Sequence, residues 1–279
     1  MNPPNMRRQY RYLIVGIGWA FTIAGVLTFA LVSSVRHLLW LGAMHRAHMA
    51  PIWLWGIIGL MTVGFIVFWY RIISSIAHHR QAQRRLAGYL WPRLEPFPYP
   101  VPDGLQHIAE WSLVNDDHLQ QTFTWGLFSP HIVISKKLWD SLDGAAQTAV
   151  MYHEAAHAMS RDPLQQVVLQ ILAFALRPFG LGALYQRYLL HREIAADRLA
   201  VAACSGDDSA LLTALLIAAK SHVNQVSEVG LLNALEVRIQ FLETQRLPSE
   251  NDMDLRLHLL STTGAMLLVL GQGLVVWCH

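Results

Sequence analysis

The chain alternates between long uncharged blocks and stretches of mixed polarity. Tyr12–Val35 holds 24 residues without a charge, Ala50–Tyr70 holds 21 and Leu259–Cys278 holds 20. A helix rises about 1.5 Å per residue, so ~20 residues cross a ~30 Å hydrocarbon core. The pattern predicts transmembrane helices over 12–35, 50–72 and 258–278, with a cytoplasmic N-terminus at 1–11 and a short extracytoplasmic loop at 36–49. The first block is long for the apolar region of a signal peptide and lacks a small-x-small cleavage site, so it is read as an anchor that stays. Arg7, Arg8 and Arg11 precede it, and Arg71, Arg80, Arg84, Arg85 and Arg93 follow the second block. Arg36 and Arg46 alone lie in the loop between. By the positive-inside rule the N-terminus and the region after residue 72 face the cytoplasm. The expected location is a bacterial inner (plasma) membrane.

Residues 73–102 read as a basic juxtamembrane helix followed by a linker. Pro92, Pro96, Pro98, Pro100 and Pro102 crowd its end, and such a run is extended chain rather than helix interior. The basic part suits contact with anionic lipid. A soluble domain is expected over 103–257. It opens with β-like runs at Trp111–Val114, Gln121–Trp125 and Ile132–Ser135, the last taken as an edge strand because Gly126 and Pro130 punctuate its approach. From Asp143 the period becomes helical, with Asp143 as N-cap and Ala145, Ala149, Tyr152, Ala156 and Met159 at helical spacing. Asp162-Pro163 reads as the next helix start. Leu164–Leu190 is strongly apolar but broken by Arg177-Pro178 and two glycines, which favours a helix pair over a further span.

Composition agrees with a membrane protein. Charged residues make up 14% of the 279 positions, hydrophobic ones 53%, and the net charge is +2. Soluble proteins carry about 25% charge. A disordered chain is excluded, and so is a disulfide scaffold, because there are only two cysteines. The small net charge offers no field for holding nucleic acid.

The candidate chemistry lies in His153-Glu154-Ala155-Ala156-His157. Four residues apart on a helix, both imidazoles leave one face and can share a metal. Glu154 sits beside that face as a candidate general base. Zinc with three protein ligands lowers the pKa of its bound water from 15.7 to about 7, and Glu154 can then take that water's proton. Glu193-Ile194-Ala195-Ala196-Asp197 follows in another helical stretch. Glu193 completes a His₂Glu ligand set for one zinc, and Asp197, one turn on, can orient a ligand histidine.

These motifs resemble the BlaR/MecR-type integral-membrane zinc metallopeptidases of the gluzincin group. The resemblance runs from about Phe123 to Ala203 and includes Thr124–Ser135, Arg161-Asp162-Pro163 and Arg192–Asp197. It implies an α+β minimal zincin domain, mostly helical with a small sheet, held on the cytoplasmic side and flanked by transmembrane helices. It also implies that the edge strand, taken as His131, Ile132, Val133 and Ile134, pairs with the substrate backbone. The family's β-lactam sensors carry a penicillin-binding domain after the last span, whereas this sequence ends at His279, so a β-lactam sensor role is not carried over. An oxyanion-stabilising group is required on mechanistic grounds, with Arg192 and Tyr188 as candidates.

The expected protein is therefore a membrane-anchored zinc endopeptidase. It would cleave a cytoplasmic or membrane-proximal protein in regulated proteolysis, with a separate membrane sensor or repressor as partner and oligomerisation left open. The alternatives are an HtpX-like quality-control protease of membrane proteins and a non-catalytic zinc-binding scaffold. Glu154 argues against the scaffold, because a structural site needs no base. His45, His48 and Cys278 share the outer side and could form a sensory metal site, but histidines near a membrane interface are more often simple polar anchors, which is the preferred reading. Cys204 reads as a small buried hydrophobe.

Overall fold

The computed structural model describes residues 6–43, 52–116, 119, 121–177, 181–222, 237–242 and 244. The third expected span, the Met44–Met49 loop and Cys278 lie outside the described residues. The chain divides into two compact units. Among the described residues beyond the first helical turns, one unit holds 12–79 and 169–185, and the other holds 80–168 and the residues from 186 onward.

Two long helices open the chain, α1 (Met6–Ala43) and α2 (Ile52–Leu90). Among the described residues, Tyr12–Ser33 is the helical stretch long and apolar enough to cross a membrane, with a mean hydropathy of 2.1. The second expected span falls in the first half of α2, where Leu60, Val63, Ile66 and Val67 are exposed. As the basic run predicts, α2 continues unbroken to Leu90. Within this unit Ala20, Ile23 and Phe68 pack with Ala173, Ala175, Leu176 and Leu181. The apolar 164–190 stretch is indeed a helix pair, α5 (Asp162–Ala175) and α6 (Leu181–Ala203).

The other unit is built on a four-stranded sheet in the order β1-β2-β4-β3, with β1 Leu94–Pro96, β2 Glu110–Val114, β3 Thr122–Trp125 and β4 His131–Ser135. β1 lies in the stretch read as linker, ahead of the boundary expected at 103. An edge strand needs amide donors on one side only, so Pro96 is tolerated there. β4 pairs in parallel with β2 and antiparallel with β3. Its β-branched run Ile132-Val133-Ile134 is fully buried, as a central strand covered on both faces requires. The expectation that β4 is the edge strand is therefore corrected: both its edges are occupied, and among the described residues β1 and β3 are the outer strands.

Alternation along the strands sorts two cores. Trp111, Leu113, Ile132 and Ile134 meet Met151, Ala155 and Ala158 of α4 (Gly144–Met159). Val114 and Val133 face the other way, against Leu90, Phe123 and Trp125. A short helix, α3 (Lys136–Ser141), links β4 to α4, and Asp143 caps α4 by accepting from the Ala146 amide at 2.8 Å. α7 (Ser209–His222) packs behind α4. The small Ala149 lets α4 meet Ile194 and Ala200 of α6, together with Leu211 and Phe241. Cys204 is partly buried beside this cluster.

Candidate active site

α4 presents His153 and His157 on one face, and α6 brings Glu193 opposite them. The two Nε2 atoms are 3.2 Å apart. Glu193 Oε2 lies 3.6 Å from His153 Nε2, and its Oε1 lies 3.8 Å from His157 Nε2. A tetrahedral zinc about 2.0–2.1 Å from each donor needs donors about 3.4 Å apart, so the three residues match such an ion.

Each histidine has its own carboxylate behind it. Asp162 Oδ2 is 2.7 Å from His157 Nδ1, and Asp197 Oδ1 is 3.0 Å from His153 Nδ1. Among the described residues no partner of His153 Nδ1 meets hydrogen-bond geometry, so the Asp197 contact is a close approach rather than an aligned hydrogen bond. Both carboxylates leave Nε2 as the nitrogen facing the cluster, which is how metal-binding histidines are oriented. Asp197 lies behind His153, and Asp162 turns its side chain to His157. Arg161, in the left-handed region at φ 52°, ends α4 and turns the chain so that Asp162 returns beneath His157.

Arg238, in the helical residues 237–242, was missed by the sequence reading. Its Nε and Nη2 donate to Asp197 Oδ2 and Oδ1 at 2.9 and 2.7 Å, and its Nη1 lies 3.2 Å from Glu193 Oε2. It sits 41 residues beyond Asp197 with no periodic relation to either motif, so only a lone arginine in an amphipathic stretch marked it. Arg192 donates to Glu193 Oε1 and to Gln166 Oε1, so it borders the site with its guanidinium already engaged. Tyr188 is fully buried, and its hydroxyl donates to Gln165 Oε1 at 3.4 Å.

The electrostatics call for a cation. Burial alone would raise the carboxyl pKa of Glu193, but Arg192, His157 and Arg238 outweigh it and hold the group well below the usual range. Burial opposes ionisation of Asp197 likewise, and Arg238 and His153 lower its pKa. Burial lowers the His153 pKa, yet Asp197 and Glu193 override it and raise it to about 9 without a metal. Glu154, Asp162, Glu193 and Asp197 set four carboxylates against the guanidiniums of Arg192 and Arg238. With both imidazoles neutral, two negative charges remain, which a divalent ion cancels. The donor set thus fits zinc.

Glu154 is 4% exposed, and its carboxylate accepts from Thr122 Oγ1 at 2.6 Å and Thr124 Oγ1 at 3.0 Å. A cavity of about 300 Å³ opens over these groups. Its polar end carries His153, Glu154, His157 and Glu193, and its apolar wall includes Leu138, Val150, Leu211 and Ala214. The predicted substrate-pairing residues do not line it: Ile132, Val133 and Ile134 are buried in the sheet centre, and His131 stacks on Trp91 and Trp125 with Glu110 at 3.1 Å.

The mostly helical α+β domain with its small sheet is consistent with a zincin fold. Residues 104–223 match the model of Peptidase family M48, which supports a metallopeptidase domain of that family over this stretch. Peptidases of that family depend on zinc. No curated protein matches the chain.

Proposed function

We propose that the protein is a membrane-anchored zinc endopeptidase that cleaves a cytoplasmic or membrane-proximal protein. The observation that carries this reading is the convergence of His153, His157 and Glu193 within 4.8 Å beside Glu154, at the floor of an open cavity. Zinc held by His153, His157 and Glu193 would polarise the scissile carbonyl and lower the pKa of the attacking water. Glu154 accepts the proton of that water as it adds to the carbonyl carbon. It then delivers the proton to the amide nitrogen as the C–N bond breaks, leaving a carboxylate and an amine. Ser135 N donates to Gln121 O at 3.1 Å, so by antiparallel alternation the amides of Thr122 and Thr124 point to the outer side of β3. Among the described residues no strand pairs with that side. The substrate backbone is therefore assigned to β3 rather than β4.

The uncharged Tyr12–Ser33 helix and the excess of arginine after the second block support anchoring with the domain in the cytoplasm. The M48 match does not distinguish a BlaR/MecR-type enzyme from other members, so regulated proteolysis under a separate sensor or repressor rests on the resemblance of residues 123–203 alone. Glu154→Gln should keep one zinc per chain and lose cleavage. Equal cleavage by parent and variant would refute the mechanism. Proteomes of cells carrying each form distinguish one defined substrate, as regulated proteolysis requires, from the broad set of an HtpX-like quality-control enzyme.

A further inference from the structure

We propose that Thr122 and Thr124 are positioning residues that hold the Glu154 carboxylate for proton transfer and couple its orientation to the substrate strand. The inference rests on the peptidase reading above.

β3 reads Thr-Phe-Thr-Trp, and its alternation sends the two kinds of side chain to opposite faces. Phe123 and Trp125 pack with Val114 and Val133 on the face away from α4. Thr122 and Thr124 turn toward α4, opposite Ile134 and Ile132 of β4. The Thr122 hydroxyl donates to Glu154 Oε1 at 2.6 Å. The Thr124 hydroxyl reaches both Oε2, at 3.0 Å, and the Glu154 carbonyl, at 3.2 Å. One donor on each oxygen fixes the carboxylate plane. A carboxylate offers about four acceptor positions, so the remaining lone pairs stay free to take a proton.

The same two residues turn their backbone amides to the outer side of β3. A peptide paired there would stiffen the strand that carries both hydroxyls. Binding energy from the peptide backbone, away from the scissile bond, would in this way be spent on orienting the base, which raises kcat rather than lowering KM.

Valine replaces threonine at nearly equal shape and strand preference but removes the donor, whereas serine keeps it. The test compares Thr122→Val, Thr124→Val, the double valine variant, the matching serine variants, Glu154→Gln and the parent. The readouts are steady-state cleavage of fluorescein-labelled casein, zinc stoichiometry and zinc affinity. The double valine variant is expected to lose ~10- to 100-fold in kcat with KM and zinc binding held, since hydrogen bonds to charged groups are the strong ones. The serine variants should restore most of that loss. The proposal is overturned if the valine variants keep kcat within about twofold of the parent, or if serine is as damaging as valine. It is equally overturned if zinc is lost in step with the rate, because the threonines would then be supporting the α4 ligands instead. Should the parent match Glu154→Gln both on casein and in the comparison of cell proteomes, the peptidase reading itself fails and the clamp falls with it.

Discussion

Arg238→Met tests whether one guanidinium neutralises the buried acidic side of the site. Methionine retains much of the arginine stem's bulk but none of its five donors. The substitution strips Asp197, which is fully buried, of two hydrogen bonds at 2.7 and 2.9 Å, and Glu193 of a cation at 3.2 Å. Removing one partner of a buried ion pair costs about 3–5 kcal/mol. For a domain of this size each kcal/mol moves the unfolding temperature by about 2–4 °C, so the loss should be ~6–20 °C. The assay is thermal unfolding in detergent, followed by the fluorescence of the ten tryptophans, with chelator and with zinc. The deficit should be larger in chelator, because bound zinc supplies positive charge beside Glu193. The pH dependence has a definite sign. The folded pKa of Asp197 is lowered, so its contribution is present above its ordinary value of ~3.9 and is lost as pH falls through the folded value. In the variant the same carboxylate lacks its main stabilising cation and protonates at higher pH. The gap between parent and variant should therefore be widest near neutrality and shrink on acidification. A deficit below about 2 °C in chelator at pH 7 would refute this account, as would a gap that widens toward low pH.

Two further outcomes follow from the same geometry. Asp162→Asn should weaken zinc binding ~10- to 100-fold, because the group behind a metal-binding imidazole sets its orientation and basicity; an unchanged zinc affinity in competition titrations would show that the 2.7 Å contact to His157 is incidental. Gly126→Val should destabilise the domain by more than about 1 kcal/mol, since the residue adopts φ +92° and an added Cβ would stand 2.2 Å from the Ser129 carbonyl oxygen. A melting temperature equal to the parent's would contradict that reading of the β3–β4 turn.

Much of the site was legible in the linear sequence because helices impose a fixed period. His153 and His157 had to share a face once their stretch was read as helical, and Glu193 and Asp197 followed the same rule. Asp143 announced the start of α4 through ordinary capping chemistry. The errors share a different cause. β4 was taken for the edge strand because Pro130 stands before it, yet Pro130 lies in the turn, and strand order depends on pairings between distant segments. β1 was lost in a proline run, since an edge position excuses a missing donor that a central strand cannot. Nothing in the local pattern of residues 237–242 ties Arg238 to Asp197.

The sequence by itself determined the helix faces that carry His153, His157 and Glu193, the uncharged blocks and the basic run after the second of them. Each depends on short-range periodicity or local composition, which a chain cannot conceal. Only the tertiary structure decided which strand carries the outer edge, that Asp162 turns back to His157, that Arg238 neutralises Asp197, and that Thr122 and Thr124 grip Glu154. These contacts join segments up to 41 residues apart, and they exist only because sheet order and helix packing bring those segments together.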